Sequence, residues 1–463
     1  MPAQQRAAIL YGSLPLIAAS LLLAWVWSPR LAEDAYIALR YSVHLASGLG
    51  LVYNPGEPPV EGATSFLNTV LVAGAIRLGI PPERAAQAVA AAAWLGACVL
   101  LLRLLPTLGV HPWAALAAAL ALALSPLAAL VAFGFDTALG VCFSTLVAVL
   151  LHRILLDRPG EEEQAARTRR DQIGLPAACL LLCLARPEGA FLAVPALLLA
   201  CAALPRRHAF ICRSLLGFAL PGLLFFVWRW RYFGYPLPNT FYVKHEGSLF
   251  HPGTLLIGLR SILAFSLPAL LLIAAWWRQE RQSRWLCARL CAPWLVFLAA
   301  FLLINNEQNA LGRFQLPALP WILTTAAVAW TAPYSRRTKA GAGRETALLG
   351  AKTRNGGGAA LRAWLCLLSL YPLLAQPLAE RHRYRSVASS TYAAGRALEA
   401  FHDRAYAGRT YGLMVSEAGV LPFYSRWRTL DAHGLNDPEI AHHGLTWDRI
   451  DRFRPDVVEF HVA

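Results

Sequence analysis

Long apolar stretches recur along most of this chain and are separated by short polar connectors. Most of them reach the roughly 20 residues that an α-helix needs to cross a hydrocarbon core of about 30 Å. Because the stretches are apolar on all sides and do not alternate, they predict membrane-spanning helices and not a β-barrel. They lie near residues 8–28, 65–80, 87–105, 112–132, 135–152, 175–202, 209–230, 254–277, 290–304, 315–333 and 360–378.

Two of these stretches differ from the rest. The stretch 65–80 is short and contains Asn68 and Arg77, and the stretch 175–202 is long but interrupted by Arg186-Pro187-Glu188-Gly189. Connectors rich in Lys and Arg are expected on the cytoplasmic side. All of them fall there if 65–80 lies along the outer surface and 175–202 enters and returns as two half-helices. These basic connectors are 153–170, 203–213, 278–289 and 334–358.

This topology predicts an α-helical polytopic membrane protein with about nine spans plus a re-entrant helix pair. Residues 1–379 would form the transmembrane catalytic domain, with an uncleaved first span and a first outer loop at 29–64. Residues 380–463 contain short alternating runs with turns between them, which predicts a small C-terminal α/β domain outside the cytoplasm that docks on the membrane part. The polar break at 186–189 predicts a cavity, because irregular backbone at membrane depth needs protein or water beside it.

Composition adds little to this topology. The 463 residues are 57% hydrophobic with a net charge of +15, which on a membrane protein is expected to lie mainly in cytoplasmic loops and does not indicate a nucleic-acid partner. The nine cysteines lie in or beside apolar segments without metal-ligand spacing, as is typical of small buried residues.

Adjacent carboxylates open the first outer loop. Glu33 and Asp34 suit either a helix N-cap or a general base that deprotonates an acceptor hydroxyl, and Asp34 is the favoured catalytic residue. Turns at Asn54 and Glu61 suit either a plain loop or a sugar-binding rim, and Asp136 lies in a tight outer hairpin.

Cations lie in the other segments that the topology places outside. Arg231, Lys244 and Arg313 suit a phosphate at the membrane surface, and they equally suit interfacial anchoring. Asn239 and His245 accompany them in the loop 231–253. Arg186 and Glu188 are ionisable residues at membrane depth, which indicates either a site or an internal ion pair. Carboxylates beside cations at an outer cavity indicate transfer from a lipid-phosphate donor.

Ordered motifs carry a resemblance to a known family. The string from Glu33 to Asn68 resembles the first outer loop of GT-C polyprenyl-phosphate-dependent glycosyltransferases, closest to the terminal β-(1→2)-arabinofuranosyltransferases of mycobacterial type and their bacterial relatives. Further matches run in order along nearly the whole chain, although Ala63 stands where an aromatic residue is usual. They include Gly134 to Leu139, Arg186 to Gly189, Tyr235 to Lys244, Gly312 to Pro320, Glu417 to Gly419 and Asp431 to Asp437.

The resemblance implies a GT-C fold and an inverting transfer of a sugar, arabinofuranose being favoured, from polyprenyl phosphate to an extracytoplasmic glycan or glycoprotein. The enzyme would lie in a bacterial inner membrane, facing the periplasm. It implies no certain cofactor; no residue is assigned to a metal, and a divalent cation, Mg²⁺ or Mn²⁺, stays open. A lipid-linked-sugar transporter and a surface-polysaccharide ligase or polymerase are the alternatives. The implied catalytic residues are Asp34 and Glu33; the donor-phosphate ligands are Arg313, Lys244, Arg186 and Arg231; the sugar or acceptor ligands are Asp136, Glu61, Asn54, Tyr36, Arg40, Asn239, His245 and Glu188.

Overall fold

The computed structural model of the chain describes only part of its residues. The predicted spans 8–28 and 360–378 and most of the stretch 254–277 lie outside the described residues. Those that are described are 31–108, 110, 112–156, 162–245, 255–260, 262–263, 281–303, 309–328, 391–404 and 411–460.

Helices dominate the described part before residue 329. Those long and apolar enough to cross a membrane are Pro82–Leu108, Thr137–Leu156 and Arg207–Phe233, in agreement with a membrane protein. The helices in order are Glu33–Ala46, Phe66–Arg77, Pro82–Leu104, Pro112–Ala123, Leu127–Ala132, Thr137–Leu156, Glu162–Ala185, Ala190–Ala203, Arg207–Phe233, Asn239–His245, Arg281–Leu303 and 319–328.

The helices Thr137–Leu156 and Glu162–Ala185 pack side by side in opposite directions. Arg153 Nε lies 3.1 Å from Asp171 Oδ2 at one end of the pair, and Asp136 contacts Arg186 at the other. Glu162–Ala185 has 24 residues, about 36 Å of helix. The chain then turns at Arg186 and runs back as Ala190–Ala203.

The interruption in the stretch 175–202 therefore exists, but the two helices beside it differ from the two half-helices that we expect from hydropathy. The first has 24 residues and the second has 14. The first helix begins at Glu162 because polar residues such as Arg169 and Gln172 extend it beyond the apolar stretch. The turn lies beside Asp136, at the end of the helix pair and not at its middle. The described basic residues that precede Glu162–Ala185 and follow Ala190–Ala203, at 162–170 and 203–213, lie at the end of these two helices that is opposite to the turn at Arg186.

The helix Phe66–Arg77 does not span. Its 12 residues extend about 18 Å, well short of a hydrocarbon core. It packs between the helices Glu33–Ala46 and Pro82–Leu104. Just before it, Ser65 Oγ donates a hydrogen bond of 2.6 Å to the carbonyl oxygen of Ala185. This bond connects it to the helices Glu162–Ala185 and Ala190–Ala203, which we call the interrupted helix pair.

Residues 391–404 and 411–460, which we call the tail unit, contain a three-stranded parallel sheet. Its strands are β1 (Gly412–Val415), β2 (Arg428–Asp431) and β3 (Val457–Glu459), in the order β2-β1-β3. The strands β1 and β3 fall in the alternating runs noted in the sequence. Their helices are 391–404, Val420–Ser425, Pro438–His443 and Trp447–Phe453.

The tail unit packs on the helix Glu33–Ala46, which we call the acidic helix. Ile37 and Tyr41 from the acidic helix share a buried cluster with Leu413 and Val415 from β1. Tyr53, from the loop that follows the acidic helix, joins the same cluster and donates a hydrogen bond of 2.6 Å to the carbonyl oxygen of Ala418. The tail unit thus fixes one side of the helix that begins with the paired acids.

Candidate active site

A cavity of about 140 Å³ lies where the acidic helix meets the interrupted helix pair. Its wall comes from segments that are far apart in the sequence. The charged side chains in the wall are those of Asp34, Asp136, Arg186, Lys244 and Arg313. Sequence reasoning named all of them, and the structure brings them into one site.

Asp34 and Arg313 form an ion pair in the cavity wall. Arg313 Nη2 donates a hydrogen bond of 2.9 Å to Asp34 Oδ2. The Asp34 side chain remains 49% exposed, whereas that of Arg313 is only 9% exposed. One carboxylate oxygen is therefore anchored while the group still faces open space.

Arg313 is held by aromatic rings as well as by Asp34. Its guanidinium carbon lies 4.7 Å from the ring centroid of Phe135 and 5.3 Å from that of Phe314. Its Nε atom is buried and has no hydrogen-bond partner among the described residues. A buried N–H without a partner costs free energy unless a ligand oxygen accepts from it. Arg313 is thus oriented and has a donor left for an anion.

Arg186 lies between two carboxylates. Its Nη1 donates to Asp136 Oδ1 at 3.0 Å, and its Nε donates to Glu188 Oε1 at 2.6 Å. Two carboxylates already neutralise this guanidinium, so it is better suited to orient Asp136 than to bind a phosphate alone. The internal Arg186–Glu188 pair, the alternative open from the sequence, is present.

Lys244 approaches the cavity from the short helix Asn239–His245. Thr240 and Lys244, one helical turn apart, both line the cavity. Burial, and then the nearby charge of Arg313, lower the pKa of Lys244. The ammonium therefore lacks full compensation from the protein, and a bound anion would supply it.

The hairpin that carries Asp136 is held against the start of the acidic helix. Gly134 has a φ of +74°, and a Cβ atom there would lie 2.6 Å from Leu31 Cδ2. Only glycine fits this turn and this close approach. The amide of Ala32 donates a hydrogen bond of 2.9 Å to the carbonyl oxygen of Phe133. The carboxylates of Asp34 and Asp136 are thereby brought to the same cavity.

The acidic helix shows a different face to the cavity and to the tail unit. Asp34, Ala38 and Ser42, spaced by four residues, line the cavity. Glu33 does not line it, because its Oε1 accepts hydrogen bonds of 2.7 and 2.8 Å from the amides of Gly419 and Val420 in the tail unit. Of the two adjacent acids, only Asp34 faces the cavity.

Tyr36 and Arg40, which the resemblance placed at the sugar, face the tail unit instead. The hydroxyl of Tyr36 lies 3.2 Å from that of Tyr424. Arg40 is buried, and it donates to the carbonyl oxygens of Tyr53 at 2.8 Å and Trp427 at 2.9 Å. Neither side chain is among those that line the cavity.

Asn54, Glu61 and Asn239 also lie where the outer loops meet other parts of the protein. Asn54 Nδ2 donates to the carbonyl oxygen of Thr429 at 2.8 Å, and Asn239 Nδ2 donates to that of Leu435 at 3.1 Å. Glu61 pairs with Arg229 beside a smaller adjoining cavity. Each of these side chains has at least one polar partner in a facing segment, as is usual for buried polar groups, although Asn239 Oδ1 has no hydrogen-bond partner among the described residues.

One cation, one carboxylate and one histidine complete the comparison with the sequence-based list. Arg231 is exposed and does not line the cavity. Glu188 reaches the site only through Arg186. His245 ends its short helix, and its side chain lies outside the described part of the structure.

Some uncharged cavity residues were missed by sequence reasoning about function. Asn68 is a polar residue within an apolar stretch, and that anomaly was the available signal. Leu435 comes from the loop after β2 and forms the tail unit's part of the wall. Leu435 falls within the matched motif Asp431 to Asp437, but its place in the wall depends on docking against Gly62 and Tyr41 through Asn436, which the motif does not reveal.

A divalent cation at this cavity stays a prediction. Among the described residues, no group of three or more His, Cys, Asp or Glu side chains is placed to hold one. Asp34 and Asp136 are each paired with an arginine. A divalent cation would need several oxygen ligands that are not committed to arginine.

Solved structures of other membrane proteins have a fold similar to that of this chain. A family model described as a domain of unknown function, DUF8728, matches residues 379–462. No curated protein matches the sequence. The crystal structure of ArnT from Cupriavidus metallidurans bound to undecaprenyl phosphate is similar at 16% identity and a TM-score of 0.58, covering 92% of this chain and 87% of that chain. Its apo form gives 17% and 0.60, covering 95% and 90%.

An archaeal protein has the same type of fold. The oligosaccharyltransferase AglB from Archaeoglobus fulgidus, solved in complex with an inhibitory peptide and a dolichol-phosphate, is 11% identical with a TM-score of 0.53. The match covers 93% of this chain and 64% of that chain. At such identities the likeness concerns the fold alone. The chain has the type of membrane-protein fold seen in these structures, and the GT-C glycosyltransferase and arabinofuranosyltransferase assignments stay predictions.

Proposed function

We propose that this protein is a membrane glycosyltransferase that moves a sugar from a polyprenyl-phosphate donor to an extracytoplasmic acceptor. The observation that carries the proposal is the cavity that brings Asp34 together with Arg313 and Lys244. The fold supports it, because similar structures were solved with undecaprenyl phosphate and with dolichol-phosphate.

Asp34 is the proposed general base. Its exposed carboxylate would take the proton from an acceptor hydroxyl as the hydroxyl oxygen attacks the anomeric carbon of the donor sugar. The bond between that carbon and the phosphate oxygen breaks on the opposite face, which inverts the configuration. The electron pair leaves with polyprenyl phosphate, so negative charge grows on the phosphate during the step.

Arg313 and Lys244 would stabilise that growing charge. Arg313 is pre-oriented by Asp34 and two aromatic rings, so little reorganisation is needed when the phosphate departs. Lys244 would regain full charge stabilisation once the phosphate is bound. Arg186 would hold Asp136 toward the sugar hydroxyls. These roles need no metal ion, and adding EDTA is expected to change the rate less than about twofold.

The favoured donor sugar is arabinofuranose, and this choice rests on the resemblance in the sequence. The acceptor is an extracytoplasmic glycan or glycoprotein. We place the protein in a bacterial cytoplasmic membrane with the cavity facing the periplasm, because the distribution of Lys and Arg in the sequence predicts that the basic connectors are cytoplasmic and that the cavity-lining segments are on the other side.

The full chain in lipid nanodiscs provides the test. It would be incubated with radiolabelled polyprenyl-phosphate arabinofuranose and an octyl arabinofuranoside acceptor, with a polyprenyl-phosphate hexose in a parallel reaction. We expect labelled product and released polyprenyl phosphate in equal amounts from the arabinofuranose donor. Transfer from the hexose donor alone would overturn the sugar assignment. Movement of intact donor across proteoliposomes without any release would overturn the transferase and favour the transporter.

A further inference from the structure

The carboxyl group of Glu33 occupies an unusual setting for an acid. One oxygen, Oε1, accepts from the amides of Gly419 and Val420. The other, Oε2, is buried and has no hydrogen-bond partner among the described residues. No described Lys, Arg or His forms an ion pair with it, whereas Asp34 beside it pairs with Arg313.

The charged and titratable groups around Glu33 do not favour its ionised form. Burial is the main reason that the pKa of Glu33 is raised to about 8, and the charges of Glu417 and Asp34 raise it further. The two amide hydrogen bonds act in the opposite direction without overcoming burial. The titratable groups that interact with it are Asp34 and Tyr36 from its own helix, Tyr53 from the following loop and Glu417 from the tail unit. Beyond Tyr36 lie Tyr424 and Glu83, which bond to each other.

The contact between Glu33 and the tail unit is also unusually close. A Cβ atom at Gly419 would lie 2.1 Å from the backbone oxygen of Glu33 and 2.7 Å from its Oε1. Real side chains never come so near, so this position admits only glycine. The tail unit therefore seats directly on the first turn of the acidic helix, one residue before Asp34.

We propose that Glu33 is a positioning residue: its neutral carboxyl fastens the first turn of the acidic helix to the tail unit and so holds Asp34 in the cavity wall. Ionisation of Glu33 places an uncompensated charge in this contact and loosens it. The inference rests on the proposed function for its kinetic consequence, because Asp34 is the base in that proposal.

The transfer reaction gives the first test, with the full chain in nanodiscs between pH 6 and pH 9.5. Glu33→Gln keeps an oxygen that accepts both amide hydrogen bonds and cannot ionise. The wild type is expected to lose rate above pH about 8, with about a tenfold loss at pH 9. At saturating donor, where the bound phosphate keeps Lys244 charged, Glu33→Gln should stay within about threefold of the wild-type kcat at pH 7 and keep that kcat to pH 9. Glu33→Ala should lose at least about tenfold at pH 7 with an unchanged KM for the donor.

A matched control separates this effect from other alkaline changes. Glu57 is another outer-loop carboxylate that contacts the tail unit, but it pairs with Arg428 at 2.6 Å. Glu57→Gln should leave the wild-type pH profile unchanged. An alkaline loss that persists in Glu33→Gln would overturn the proposal, and so would a loss at pH 7 as large as that of Glu33→Ala.

Hydrogen–deuterium exchange supplies a readout that needs no activity. After correction for intrinsic exchange, peptides covering 33–46 and 417–425 should lose protection between pH 7 and pH 9 in the wild type. The same peptides should keep their protection in Glu33→Gln. Equal behaviour of the two proteins would overturn the positioning role. If the wild type shows no transfer at all, the proposed function fails, and this measurement still decides the role of Glu33.

Discussion

Two faces of the acidic helix use the same kinds of residues for opposite purposes. On the cavity face, Asp34 is half-exposed and holds a single hydrogen bond to Arg313. On the tail face, the half-buried Glu33 accepts from two backbone amides, and the buried Arg40 donates to backbone carbonyl oxygens. The first face leaves polar groups available for a ligand, and the second commits its polar groups to contacts within the protein, with Glu33 Oε2 as the exception.

This difference arises from helix geometry. Adjacent residues point about 100° apart on a helix of 3.6 residues per turn, so Glu33 and Asp34 cannot share one environment. What decides the role of each acid is the segment that it faces. Asp34 faces Arg313 from another part of the chain, and Glu33 faces the tail unit.

The largest effect is expected from Asp34→Asn. The amide keeps the size of the side chain but cannot accept a proton, so transfer should fall by about 10³-fold. The melting temperature should be unchanged, because this side chain is half-exposed. Initial rates at pH 7 measure the loss, with Glu33→Gln as the neighbouring control. Near-normal transfer by Asp34→Asn would exclude Asp34 as the base and remove the contrast between the two faces.

Arg313→Ala is expected to have the next largest effect. It removes the cation proposed to stabilise the leaving phosphate, and kcat/KM should fall by about 10²-fold. Arg313→Lys keeps the charge but loses the planar guanidinium between Phe135 and Phe314, so it should recover only part of the rate. Full activity in Arg313→Ala would contradict a phosphate site at this position.

On the tail face, Arg40→Met should mainly lower the free energy of unfolding. It should not change a chemical step directly, because Arg40 does not line the cavity. The change leaves the carbonyl oxygens of Tyr53 and Trp427 without this donor, at a cost of about 1–3 kcal/mol for each buried group. Chemical unfolding of the purified protein would report it as a lower midpoint. Arg77→Met is the control, since Arg77 also donates to a carbonyl, that of Ala46, but at an exposed position. Equal effects of the two changes would show that the tail face is not specially stabilised.

The tail face should also make stability depend on pH. The pKa of Glu33 is raised in the folded protein from 4.5 to about 8, so between these values the folded state binds the extra proton. The free energy of unfolding therefore falls as pH rises through this range. We expect the melting temperature of Glu33→Gln to exceed that of the wild type by several degrees at pH 9, at about 2–4 °C for each kcal/mol. A pH-independent difference would argue against this origin.

The smallest effect is expected from Arg231→Ala. This exposed cation suits a phosphate by sequence, but it does not line the cavity. The rate and the KM for the donor should change less than about twofold. A loss comparable to that of Arg313→Ala would show that the donor extends beyond the cavity wall described by the structure.

Sequence reasoning identified the charged residues of the cavity better than it identified their neighbours. Asp34, Asp136 and Arg313 stand out because charged residues beside membrane helices are costly to keep without a role. Tyr36 and Arg40 carry the same motif, yet their partners, Tyr424 and Trp427, lie far along the chain and could not be assigned beforehand. Motif membership thus predicted proximity to the site, but not which face of the helix each residue occupies.

The fold shows a similar limit. Hydropathy found the interruption at Arg186 but underestimated the length of the helix before it, because residues 162–174 are mostly polar and still helical. Helix formation follows backbone hydrogen bonding and packing against Thr137–Leu156, and neither appears in an apolar count.

The seat of the tail unit on Glu33 has a consequence for biosynthesis. Glu33 and Val420 are 387 residues apart in sequence, and Leu435 closes the cavity wall beside Asp34. A ribosome must therefore synthesise nearly all of the described chain before every segment of the cavity wall is present. Contacts between residues so distant in sequence also form late in folding. A nascent or prematurely truncated chain carries Asp34 without Leu435 in the cavity wall, so under the proposed function we expect transfer only after synthesis has passed the tail unit.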